Sequence, residues 1–121
     1  MKVIDDAIKK GACNKIVNVK SEEELVKLFF SPQGREFCIE HNFPSLEWFS
    51  ERDFEKYNIF VNKENVIAKN KNIALINSHG ELEFTEGYHV VILMHGATAN
   101  IRKSWVACVT VEGEGATWLD N

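Results

Sequence analysis

The sequence predicts an α+β protein: short N-terminal helices packed on a compact, solenoid- or roll-like β unit of about seven short strands. Three observations predict it. Helical stripes and caps fall before Asn58, and both prolines (Pro32 and Pro44) lie in that half. After Asn58, apolar or β-branched runs recur every seven to ten residues or so, with turn-forming clusters between them. Within those runs, Ala97-Thr98-Ala99-Asn100-Ile101 is echoed ten residues on by Ala107-Cys108-Val109-Thr110-Val111. The echo favours a coiled stack in which each strand lies on the one before it. An antiparallel sandwich is the alternative. At 121 residues the expectation is one domain, 1–121, with residues 1–57 mainly helical and 58–121 all β.

The helical half reads as follows. Residues 2–12 place Val3, Ile4, Ala7 and Ile8 on one face and stop at Gly11. Asn14–Lys20 alternates weakly and is extended or a linker. Ser21 and Glu24 form a capping box, and Leu25, Leu28 and Phe29 follow as an apolar stripe. Ser31 and Pro32 suit the N-cap and first position of a helix running to about His41 and burying Phe37, Cys38 and Ile39. Residues 42–45 form a turn. Leu46, Trp48 and Phe49 mark a third short helix, and Asp53–Tyr57 a further helical turn.

The β half offers the runs Ile59–Val61, Val66–Ala68, Ile73–Ile76, Leu82–Phe84, Val90–Met94, Ala97–Ile101, Trp105–Val111 and Ala116–Leu119. His95-Gly96 interrupts the most apolar part of the chain, His89–Val111. Glycine there supplies an unusual backbone angle, so His95 reads first as a turn residue. Its second reading is a small-ligand contact in a pocket between the helices and the β unit.

Composition narrows the function. The net charge is −4, shared as −2 in residues 1–57 and −2 in 58–121, so no basic surface invites nucleic acid. The longest uninterrupted apolar run, Val90–Met94, is far shorter than a membrane span. Acidic residues occupy the place of a signal peptide's apolar core, which predicts a cytoplasmic protein. Three widely spread cysteines predict reduced thiols. Cys38 and His41 have a C-x-x-H spacing without a second ligand pair, so neither a metal nor another cofactor is expected. A catalytic pairing of Cys38 with His95 has no local support, and no catalytic residue is assigned. Glu81 with Glu83, and Glu112 with Glu114, read as solvated faces. Gly113 and Gly115 lack the following helix of a phosphate loop. Lys63, Lys69 and Lys71 read as protection of strand edges.

The aromatics carry more weight. Trp48 reads as core. Trp105, next to Arg102 and Lys103, and Trp118 near the end of the chain read as contact residues, because exposed indoles bury large areas at low entropy cost. The bland reading of Trp118 is a cap on the end of the stack. The expected function is therefore non-enzymatic: protein–protein interaction or assembly, with Arg102, Lys103, Trp105 and Trp118 at the contact. An immunity or inhibitor protein acting on a toxin or nuclease is the specific version. A small-ligand module using His95 and a cysteine-dependent hydrolase are the alternatives.

Two segments carry a resemblance. Ser31-Pro32-Gln33-Gly34-Arg35-Glu36-Phe37-Cys38 with His41–Leu46, and Val91–Ile101 containing His95-Gly96-Ala97-Thr98-Ala99-Asn100, resemble small uncharacterised proteins of gut bacteria encoded among mobile or prophage-like genes. The likeness is one of pattern and spans most of residues 10–111. It implies an accessory protein that acts by contact, and it assigns a role to no residue.

Overall fold

The computed structural model describes residues 22–119. The predicted helix at 2–12, the stretch 14–20, Cys13 and Ser21 lie outside them. The chain divides into two compact units, Met1–Pro44 and Ser45–Asn121.

In the first unit, α1 (Glu22–Phe30) packs against α2 (Pro32–His41). Val26 and Phe29 form the buried stripe of α1, while Leu25 and Leu28 are half-buried. The corner follows the predicted chemistry. Ser31 accepts a hydrogen bond at Oγ from the Gly34 N–H (3.1 Å) and donates to the Leu28 carbonyl (2.5 Å), with Pro32 opening α2. Cys38 is buried, but Phe37 and Ile39 are only half-buried. That corrects the expected burial of three consecutive positions, because one face of a helix cannot carry all three inward. Phe37 instead sets its ring edge-on to Phe43 at 5.9 Å. Asn42 ends α2 in the left-handed conformation at φ 50°.

The second unit begins with α3 (Leu46–Ser50), N-capped by Ser45, and a 3-10 turn (Glu55–Tyr57). Eight strands follow: β1 (Ile59–Val61), β2 (Val66–Lys69), β3 (Ile73–Ile76), β4 (His79–Phe84), β5 (Tyr88–Met94), β6 (Thr98–Lys103), β7 (Cys108–Glu112) and β8 (Ala116–Leu119). They form two four-stranded sheets, β1-β3-β5-β7 and β2-β4-β6-β8, and every pairing is parallel. This is a two-sheet β-solenoid, and the antiparallel sandwich is excluded.

One expectation about the stacking is corrected. Each strand lies not on the strand before it but on the one before that, because successive strands alternate between sheets. Thus the ten-residue echo does not stack: β6 and β7 belong to different sheets. What the echo marks is half a coil, with Ala97 and Ala107 both buried where the chain enters a strand. Full coils stack at longer spacings, as in the side-chain pair Asn62–Asn77, 15 apart, and the pair His79–Thr98, 19 apart. Trp105 and Val106 also leave the predicted strand and sit in the turn before β7.

The core lies between the sheets. Phe60, Leu75 and Leu93 stack from the first sheet, as do Ile73, Val91 and Val111. Ala68, Leu82, Ile101 and Trp118 face them from the second sheet, beside the smaller row Val66, Gly80, Ala99 and Ala116. In-register parallel strands place like side chains on one face, so each row is a continuous apolar ridge. Burying one such aliphatic side chain contributes about 1.5–3 kcal/mol. The other face of the first sheet is also apolar: Ile59, Ala74, Ile76, Ile92 and Met94 are all buried.

The corners explain the turn-formers. Asn62, Asn77 and His95 each follow a strand of the first sheet and have φ of 57°, 49° and 55°. Asparagine and histidine are among the few non-glycine residues that adopt this conformation readily. The Asn77 amide donates to Asn62 Oδ1 (2.8 Å), and the Asn62 amide donates to Ser50 Oγ (2.9 Å). Ser78, buried beside this column, donates to the Ile76 carbonyl and accepts from the Lys63 N–H, both at 3.0 Å. At the opposite corner Asn70 and Thr85 exchange two hydrogen bonds of 2.8 Å.

Candidate interaction surface

The predicted contact residues lie on β6, on the turn that follows it and on β8. Ser104–Ala107 is a tight turn closed by the Ala107 N–H donating to the Ser104 carbonyl (3.2 Å). Ser104 Oγ pins it to the previous coil through the Thr85 carbonyl at 2.6 Å. Lys103 Nζ donates to the Ala107 carbonyl (2.9 Å) and the Ser104 carbonyl (3.3 Å), so this cation holds the turn's backbone. With the backbone held from both sides, the central residues project outward: Trp105 is 91% exposed and Val106 51%.

Trp118 occupies an inward position on β8, directly over Ile101 in register. Ile101 is fully buried, whereas Trp118 is 50% exposed, because β8 is the outermost strand of its sheet among the described residues. Val109, Val111 and Ala116 on the same last coil are half-buried for the same reason. Arg102 points to the opposite, outer face of the second sheet, in register with Glu83 and Leu119. Thus the structure separates the four residues by role. Trp118 lies on the end of the stack, Trp105 projects from the turn, Lys103 braces that turn and Arg102 belongs to a lateral face.

Phe60 and Ala68 of the first coil are half-buried, as are Val109, Val111 and Ala116 of the last. At the first coil the Ile59 N–H donates to the Phe54 carbonyl (3.4 Å), and the 3-10 turn packs on β1. Trp48 stacks on buried Phe54 at 5.6 Å, with the Arg52 guanidinium 4.2 Å from the Trp48 ring centre. Trp48 is half-buried. At the last coil, β7 and β8 read CVTVE and ATWL, with one charge, Glu112, and no proline. Sheet edges normally carry such residues to block pairing.

His95 lies at the other corner. The Ala97 N–H donates to the Met94 carbonyl (3.2 Å), and His95 and Gly96 both have positive φ, 55° and 83°, the pattern of a type I′ turn. Its ring lies 6.1 Å from Phe49, edge-on. The nearby shallow depression is lined by Asn62, Asn77, Ser78, His79, Gly96 and Thr98 among others.

Sequence reasoning missed a polar cluster on the outer face of the second sheet. His79 Nδ1 lies 2.7 Å from Thr98 Oγ1, its Nε2 lies 3.4 Å from Glu81 Oε1, and the Asn100 amide donates to the same carboxylate oxygen at 3.0 Å. The Asn100 hydrogen bond, followed by His79, lowers the Glu81 carboxyl below its ordinary value. The signal was the pair His79-x-Glu81 and Thr98-x-Asn100, alternating outward on strands 19 residues apart. Also missed was Tyr88, 86% exposed, in register with exposed Cys108.

Cys38 is buried, and burial pushes its thiol up to about 12. His41 turns its ring toward Phe37, 4.5 Å away. Among the described residues no three His, Cys, Asp or Glu side chains gather as metal ligands, and no helix is long and apolar enough to cross a membrane.

The fold therefore defines the chain as a short parallel β-solenoid joined to a helical unit. No family model matches the chain, and neither a curated protein nor a solved structure is significantly similar to it.

Proposed function

We propose that this protein acts by contact with another protein, through the last coil of its solenoid and the turn that carries Trp105. The observation that carries the reading is the last described coil: strands almost without charge, an inward tryptophan half exposed, and a second tryptophan held out on a braced turn. Edge strands left in this state pair with other backbones, and buried indoles dominate binding energy at interfaces. Cys38 supports a non-enzymatic reading. A thiol held protonated by burial is a poor nucleophile, which favours this reading over a cysteine hydrolase built on Cys38.

The test is site-specific photo-crosslinking in cells. A benzophenone side chain is placed at position 105, and at exposed Glu64 as the control. Protein adducts from 105 and none from 64 are expected. Equal adducts from both sites, or none from 105, would overturn the reading.

A further inference from the structure

We propose that His79 and Glu81, on the outer face of the second sheet, bind a divalent transition-metal ion of the zinc type. The pair lies on β4, and its role is independent of the contact proposed at the last coil. Strand alternation sends His79 and Glu81 to the same face. The parallel register then sets Thr98 of β6 opposite His79, and Asn100 opposite Glu81. Each candidate ligand therefore has its own orienting partner on the next coil. Thr98 Oγ1 lies 2.7 Å from His79 Nδ1, and the Asn100 amide donates to Glu81 Oε1 at 3.0 Å. Metal-binding imidazoles and carboxylates are held in this way, with the non-ligating ring nitrogen and the carboxylate hydrogen-bonded to groups behind them.

The separation between the two ligands points the same way. With the proton on Nδ1 and donated to Thr98, His79 presents its Nε2 lone pair to Glu81 Oε1, 3.4 Å away. A good N–H···O bond is shorter, about 2.7–3.2 Å. Two neighbouring ligands of tetrahedral zinc lie about 3.3 Å apart when each bond is about 2.0–2.1 Å. Both side chains are partly exposed, so an ion reaches them from solvent and water fills the positions they leave. One imidazole nitrogen with one carboxylate oxygen favours zinc-like ions over calcium or magnesium, which take oxygen sets. Nearby charges limit the strength. Lys69 is paired with Glu83 at 3.4 Å, while Arg102, the next outward residue on β6, opposes an added cation. With two protein ligands in place of four, the expected Kd is on the order of 100 μM.

The test is NMR of the isotope-labelled full chain at neutral pH, titrated with zinc from about 10 μM to about 2 mM, a range that brackets this Kd. Long-range proton–nitrogen correlations of the imidazoles report which ring nitrogen gains a bond. Nε2 of His79 is expected to move and saturate, while Nδ1 holds its place. Glu81→Gln removes the charged ligand, and Thr98→Val removes the hydroxyl that fixes the ring. Each is expected to weaken the site about tenfold or more, with the amide spectrum otherwise unchanged. His89→Gln is expected to leave the site intact, because His89 Nε2 already donates to the Glu86 carbonyl at 2.7 Å. Calcium over the same range is expected to leave His79 Nε2 unmoved. A His79 ring that does not respond to zinc is an ion pair with Glu81 only, and overturns the inference. Equal movement with calcium, an affinity unchanged by Glu81→Gln or by Thr98→Val, or one lost with His89→Gln, would overturn it too.

Discussion

Glu81 shows how the parallel register turns distant residues into one titrating group. The Asn100 amide and the His79 ring both reach its Oε1, so its carboxyl titrates below the ordinary 4.5. A lowered carboxyl pKa in the folded state stabilises the fold at pH above the unfolded value, and this contribution fades as pH falls through the folded value. Replacing Asn100 with Ala is expected to move the Glu81 titration up toward 4.5, followed by carboxyl NMR. An unmoved titration would assign the shift to another cause. Cys38 gives the opposite sign. Cys38 binds its proton more tightly folded than unfolded, so its contribution is complete below pH 9 and is lost as pH rises toward about 12. In native protein near pH 8, iodoacetamide is expected to modify exposed Cys108 and spare Cys38 until the chain is unfolded. Rapid native labelling of Cys38 would contradict its burial.

At the scale of elements, the corners hold the coils in register. The Asn77 amide bonds to Asn62 while its backbone sits at φ 49°. Alanine there loses the amide hydrogen bond and pays the left-handed conformation, about 2 kcal/mol together. Glycine keeps the backbone at ease and is expected to cost only about 1 kcal/mol. Chemical denaturation separates them, and equal losses would show that the corner backbone carries no strain. In the core, Ile101→Ala removes a fully buried ridge residue and is expected to cost about 2–5 kcal/mol. Gly115, at φ 114°, has its own constraint: a Cβ there would strike the Ala97 carbonyl of the coil below. Most strands were legible in the sequence because turn-formers bracket them, and the Ser31-Pro32 corner because capping chemistry is local. The stacking order was not. Parallel stacking depends on contacts 14 to 20 residues apart, and only the half-coil echo lies within ten.

For the molecule as a whole, the last described coil and the turn that carries Trp105 bear the proposed contact. Trp105 and Trp118 were legible as contact candidates because indoles near turns and chain ends are expensive to leave uncovered. Their geometry was not, since only the register reveals that Trp118 points inward on an outermost strand. Arg102 and Lys103, adjacent in sequence, went to different tasks because alternation sends neighbours to opposite faces. If the last coil is the working surface, its backbone must change state when that surface is covered. Amide hydrogen exchange, read on the purified protein alone and again on the adduct crosslinked from position 105, tests this most directly. Amides of Val109, Val111 and Trp118 are expected to gain protection in the adduct, while those of Ile73–Ile76 stay equally protected in both. Equal protection at the last coil in both would contradict the account.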